Sequence, residues 1–166
     1  MAPVRVLAKC EVARWPLIGG LARCAGALFV DRAGPRALPG TVAGVTAALR
    51  AGDAVAVFPE GTTWCGAAAG PFRRAVFQAA LDAGATVRPV AIAFRQGSGV
   101  PARSAAFVGT QDLFDSVLRV LRAPGLTCEL TLLADLAPTG DRRALARRAA
   151  ATIAGATGVP HGALSR

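Results

Sequence analysis

Five short apolar runs, Val4 to Ala8, Ala27 to Asp31, Ala54 to Phe58, Val87 to Phe94 and Leu126 to Leu133, alternate with segments of helical period along this chain. That alternation constrains the fold more than any other feature. Strands separated by helices cannot be joined as hairpins, so they favour parallel pairing with the helices laid on the faces of the sheet. The run Ala54-Val55-Ala56-Val57-Phe58 is apolar without a break, as expected of a strand covered on both faces. Between the second and third runs, Leu38, Val42, Val45 and Leu49 recur at helical spacing up to Gly52. A second helix is predicted over about Phe72 to Asp82, ending at Gly84. The expected architecture is α/β, a mainly parallel central sheet flanked by helices, in a single domain spanning residues 1–166.

The third strand leads into Phe58-Pro59-Glu60-Gly61-Thr62-Thr63. Proline ends a ladder, glycine permits a turn or a close approach, and a carboxylate between them is set for a site rather than a core. In open α/β sheets ligands bind beyond the carboxyl ends of the strands. The second run, Gly26 to Arg32, ends in an arginine on that same edge if the strands are parallel. Pro71-Phe72-Arg73-Arg74 opens the following helix, with two guanidinium groups placed to meet an anion. In the fourth run, Pro89 suggests an edge strand or a bulge. A plain salt bridge between Arg32 and Glu60 is the competing reading of that pair.

Composition narrows the partners. The net charge is +9, and 18 of the 19 basic residues are arginine, whose planar fork suits phosphate. Genomic base composition explains the arginine content equally well. Tyrosine is absent and aromatic and basic residues do not interleave, so charge alone argues for nucleic acid and the expectation is that none binds. The hydrophobic fraction is 53%, yet no stretch reaches the roughly 18 consecutive apolar residues of a membrane helix. With no secretory leader evident in the first residues, the expected location is cytoplasmic. Cys10, Cys24, Cys65 and Cys128 lack metal-ligand spacing, so no metal is expected, and Cys65 has no nearby histidine to activate it as a nucleophile.

Other polar features have ordinary readings. Asp112 and Asp115 have the spacing of a helix cap and its third residue. Residues 95–104 read as a Gly/Pro/Ser loop. Asp141 to Ala156 reads as an alanine-rich helix whose Arg142, Arg143, Arg147 and Arg148 form either a solvated face or a docking surface.

In order and spacing these segments resemble the glycerolipid acyltransferase family, whose best-known members are 1-acylglycerol-3-phosphate acyltransferases. The likeness runs from about Lys9 to Phe94. Gly26 to Arg32 is similar to the family's second block, Phe58 to Thr63 to its third and Val87 to Ile92 to its fourth, with Lys9-Cys10-Glu11 and Trp15 to Gly19 as the lead-in. The resemblance implies transfer of a fatty acyl group from coenzyme A or acyl carrier protein, as co-substrate and with no other cofactor, to the hydroxyl of a lysophospholipid such as 1-acylglycerol-3-phosphate. It implies a substrate site of Phe29, Val30, Arg32, Glu60, Gly61, Thr62 and Arg73. Arg32 and Arg73 would hold the phosphate, and Glu60 would orient a guanidinium or a hydroxyl. It also implies work at a membrane, peripheral to the inner face. Trp15, Pro16, Leu17, Ile18 and Leu21 then read as a bilayer-facing surface or as ordinary helix packing.

One block is missing. The family's base is a histidine followed five positions later by an aspartate, whereas the only histidine here is His161, whose fifth successor is Arg166. The catalytic set is therefore empty. Losing general-base catalysis costs about 10²–10⁴-fold, so the chain as written is expected to be inactive and to lack the N-terminal part that carries the block. The alternative is a non-catalytic module that binds anionic lipid.

Overall fold

The computed structural model describes residues 4–16, 18–31, 34–61, 69–96, 100–101 and 122–159. Among them, β1 is Val4–Lys9, α1 Ile18–Cys24, β2 Leu28–Val30, α2 Leu38–Arg50, β3 Ala54–Ala56 and α3 Ala75–Ala83. Then come β4 Val90–Gln96, β5 Val100–Pro101, β6 Leu126–Leu132 and α4 Arg142–Thr157. Short 3₁₀ turns occupy Cys10–Arg14 and Pro35–Ala37. The chain groups into two compact units, one of Met1–Pro59, Arg73–Val87 and Ala137–Ala146, the other of Glu60–Phe72, Arg88–Leu136 and Arg147–Arg166.

The first unit holds the parallel sheet, in order β2-β1-β3. β1 uses its two edges at different heights: Val4 to Val6 pair with Ala54 to Ala56, and Leu7 to Lys9 pair with Leu28 to Val30. Each parallel step passes through a helix, as the alternation of runs requires. The core is built from Leu7, Val30, Val45 and Ala79, with Leu28, Val42, Leu49, Val55, Val57 and Val76 packed around them. The α2 residues in this set are those the helical spacing singled out. Both α2 and α3 end in the same way: Asp53 N–H reaches back to Ala48 O and Ala85 N–H to Ala80 O, at Gly52 and Gly84. Arg5 ties the lower part of the sheet, its Nε donating to Gly26 O at 2.6 Å and its NH1 to Asp53 Oδ2 at 3.0 Å.

In the second unit the parallel order gives way to an antiparallel sheet, β5-β4-β6. β4 pairs with β6 from Val90↔Leu132 to Gln96↔Leu126. Its other edge pairs with β5 through Arg95↔Pro101 and Gln96↔Val100. The loop expected over residues 95–104 is thus partly strand, with Arg95 and Gln96 in β4 and Val100 and Pro101 in β5, because the strand keeps its partners past Phe94. Pro89 stands just ahead of a central strand, not on an edge strand. Lacking an N–H, it still accepts through its carbonyl from Leu133 N–H at 3.0 Å. Arg88 closes the same end with a fork on Asp135, Nε to Oδ1 at 2.5 Å and NH2 to Oδ2 at 2.7 Å, and Arg95 Nε meets Glu129 Oε2 at 2.6 Å across the strands. On the other face Val90, Ile92 and Phe94 align with Leu132 and Leu130, and all five are exposed.

The helix α4 starts where expected. Asp141 Oδ1 accepts from the N–H groups of Arg143 and Ala144 at 2.8 and 2.7 Å, a side-chain cap. Its four arginines, Arg142, Arg143, Arg147 and Arg148, are exposed. Asp112, Asp115, Cys65 and His161 lie outside the described residues.

Candidate functional site

Because β1, β2 and β3 run in one direction, their last residues, Lys9, Val30 and Ala56, share one edge of the first unit's sheet. Val30 is buried in the core, so what it presents at the edge is backbone; Phe29, on the opposite face by strand alternation, is half-buried. Asp31 follows, its Oδ1 accepting from Gly34 N–H at 3.3 Å. Arg32 stands between them in sequence, outside the described residues.

The ladder of β3 stops at Ala56, two residues short of the expected strand, its pairing with β1 running only from Val4↔Ala54 to Val6↔Ala56. Val57 still packs on the core, whereas Phe58 is 60% exposed. Pro59 then accepts from Arg73 N–H at 2.7 Å. That bond brings the start of the α3 segment back to the end of β3 and sets the exposed Arg73 on the carboxyl edge. Glu60, next in the chain, is half-buried, and Gly61 has φ 76°, a left-handed conformation that favours glycine. Thr62 lies outside the described residues. Of the expected site, Phe29, Val30 and Arg73 are thus gathered on one edge of one unit, with Glu60 and Gly61 continuing the chain from it.

Sequence reasoning about the site passed over the polar groups just beyond β1. Cys10 Sγ lies 3.5 Å from Glu11 Oε2. Desolvation, and then the hydrogen bond to Glu11, push the Cys10 thiol above its ordinary range, so it is no ready nucleophile. The Glu11 carboxyl is held low, first by a hydrogen bond from its own backbone N–H and then by Cys10; the Asp31 charge acts weakly on both groups. The signal for this cluster is the Lys9↔Val30 pairing, a long-range register that no local pattern encodes. Among the described residues, no group of three His, Cys, Asp or Glu side chains is placed to hold a metal ion. No helix there is long and apolar enough to cross a membrane.

A parallel α/β unit with cationic and glycine-turned segments beyond its strand ends belongs to the class that handles ligands at that edge. The chain belongs to the acyltransferase family, whose model, described as Acyltransferase, matches residues 1–93. A lyso-ornithine lipid O-acyltransferase of Pseudomonas aeruginosa is 39% identical over 152 residues, covering 90% of this chain and 57% of the relative. A 1-acyl-sn-glycerol-3-phosphate acyltransferase of Neisseria gonorrhoeae is 32% identical over 145 residues, covering 86% and 56%. The chain thus spans little more than half the length of these relatives. Among solved structures, the 1-acyl-sn-glycerophosphate acyltransferase PlsC of Thermotoga maritima superposes with a TM-score of 0.60 at 16% identity, covering 95% of this chain and 57% of that one. At that identity the likeness speaks for the fold, and it supports the α/β reading.

Proposed function

We propose that this chain carries the acceptor-binding part of an acyltransferase of membrane-lipid synthesis, moving a fatty acyl group from a coenzyme A or acyl carrier protein thioester to a lysolipid hydroxyl. In that reaction the hydroxyl oxygen attacks the thioester carbonyl, the C–O bond forms, the C–S bond breaks, and a base passes the hydroxyl proton toward the leaving thiolate. Arg73 and Arg32 hold the acceptor's anionic group, Glu60 orients a guanidinium or the hydroxyl, and Phe29, Val30, Gly61 and Thr62 shape the pocket. The observation that carries this reading is the tether from Arg73 to Pro59, which draws a guanidinium to the edge where the Phe58 to Gly61 segment emerges.

The base is the part these 166 residues do not supply, since their one histidine is His161. We therefore expect the chain to bind lysolipid and turn it over poorly, working against a membrane from its inner face. The test measures acceptor binding and acyl transfer separately, with 1-acylglycerol-3-phosphate and lyso-ornithine lipid each offered. The higher identity to the Pseudomonas relative favours the second acceptor. Arg73→Ala should weaken acceptor binding about tenfold or more. Unaltered binding refutes the site, and transfer by the chain that vanishes in His161→Ala refutes the view of the missing base.

A further inference from the structure

The outer edge of β6 is open, and the register of the strand says which of its groups are on offer. Among the described residues β6 ends the sheet β5-β4-β6, with β4 along one side only. In an antiparallel ladder every second pair exchanges hydrogen bonds, and the residues between turn their N–H and C=O groups to the other side. The bond from Leu133 N–H to Pro89 O marks a bonded pair. Counting two residues at a time from it, the bonded pairs are Ala91↔Thr131, Ala93↔Glu129 and Arg95↔Thr127. Thr127, Glu129 and Thr131 therefore commit their backbone groups to β4. Leu126, Cys128, Leu130 and Leu132 turn theirs outward, where no described residue bonds them.

An open edge templates a further strand unless proline, lysine, a bulge or brevity blunts it. The seven residues of β6, Leu126–Leu132, include neither proline nor lysine and pair one to one with β4. Thr127 to Leu132 are exposed. The other side of the sheet ends in β5, only two residues long, so the described chain offers one long edge here. Two such edges meeting about a twofold axis satisfy each other and stop growth at two copies.

Charge selects the register. Arg95 Nε bonds Glu129 Oε2 on one face of the sheet, and Arg95 itself stands opposite Thr127. A second β6 centred on Glu129 would set two carboxylates directly opposite, which is destabilising. Centred on Leu130, it would leave Arg95 out of line with the partner's Glu129. Centred on Cys128, it sets Thr127 opposite the partner's Glu129, so that Arg95, Thr127 and that carboxylate fall on one rung, and the axis repeats the arrangement. Leu126 then meets the partner's Leu130.

We propose that β6 pairs antiparallel with β6 of a second copy about an axis at Cys128, joining the two antiparallel sheets into one. The contact is a short run of backbone hydrogen bonds with a narrow strip of side chains, smaller than a standard interface, so the dimer forms and parts with concentration. It draws on neither the acceptor site nor the acyl-transfer reaction.

Sedimentation equilibrium of the chain should show a mass that rises from one copy toward two as concentration rises. Leu130→Pro removes an outward N–H and spares the bonds to β4, so it should hold the chain at one copy with the far-UV circular dichroism of wild type. Thr127→Glu, at an exposed position, sets a second carboxylate against the partner's Glu129 and should weaken the dimer about fivefold, whereas Thr127→Lys should tighten it about fivefold. Both effects should shrink as salt rises. Dibromobimane, which bridges adjacent thiols, should give a cross-linked dimer whose peptide map joins Cys128 to Cys128, and Cys128→Ser should abolish it. A chain that stays single at every concentration refutes the proposal, as does a dimer that neither Leu130→Pro nor the two Thr127 substitutions alter. A dimer abolished by Ile92→Ser but not by Leu130→Pro also overturns it, because Ile92 is exposed on the face of the sheet and belongs to its central strand. A peptide map joining only other cysteines refutes the register.

Discussion

Replacing Leu7 by alanine should destabilise the first unit far more than the same truncation three residues earlier in the strand. Leu7 is 8% exposed and sits in the core with Val30, Val45 and Ala79, opposite Leu28 across the parallel ladder. Val4, in the same strand, is 54% exposed. A central strand backed by two partners relaxes little, so the space left by Leu7 stays open. The cost is then the transfer of the lost methyl and methylene groups plus the cavity, about 3 kcal/mol. Val4→Ala should cost about 0.5 kcal/mol or less, as a surface change. With a urea slope of about 2 kcal/mol/M the expected drop in midpoint is about 1.5 M for Leu7→Ala and about 0.2 M for Val4→Ala, at unchanged slope. Far-UV circular dichroism through the transition measures both. Equal drops would show that the two faces of β1 are alike in burial and would refute the placement of the core.

Two further outcomes follow from the charged and thiol groups. The Arg88 hydrogen bond holds the Asp135 carboxyl below its ordinary value of 3.8, so the pair stabilises the fold above that pH and the contribution fades as pH falls through the lowered folded value. Urea midpoints of wild type and Asp135→Asn should differ near neutral pH, with wild type higher, and converge in acid; a gap that stays constant would contradict the linkage. The raised Cys10 thiol should react with iodoacetamide slowly at neutral pH and faster as pH climbs, and Glu11→Gln, which removes the acidic neighbour, should speed the reaction at a given pH. Mass spectrometry of the labelled peptide reads this directly, and no change in Glu11→Gln would refute the assigned cause.

The parts legible in the sequence are those that local chemistry decides. The face of Val42, Val45 and Leu49 shows in its spacing, the ends of α2 and α3 show in Gly52 and Gly84, and the start of α4 shows in Asp141. Apolar runs broken by helices likewise imply that the sheet of β1, β2 and β3 is parallel, though not its strand order. What could not be read depends on partners far along the chain. The short pairing of β3 with β1, the antiparallel turn of β4 between β5 and β6, and the pairing of Gln96 with Val100 are matters of register. At the candidate site, Pro59-Glu60-Gly61 announces itself by composition. The bond from Arg73 N–H to Pro59 O does not, because it is made by backbone, which every residue carries. The blocks that resemble the acyltransferases supplied the rest, and the family match over residues 1–93 bears that likeness out.

The fork from Arg88 to Asp135 and the neighbouring bond from Leu133 N–H to Pro89 O fasten β4 and β6 at the end remote from the chain that joins β5 to β6. An alignment anchored there does not depend on the length of that joining chain. The register of β4 on β6 is held from that far end, so the paired strands should keep their places whatever the length of chain between Pro101 and Arg122.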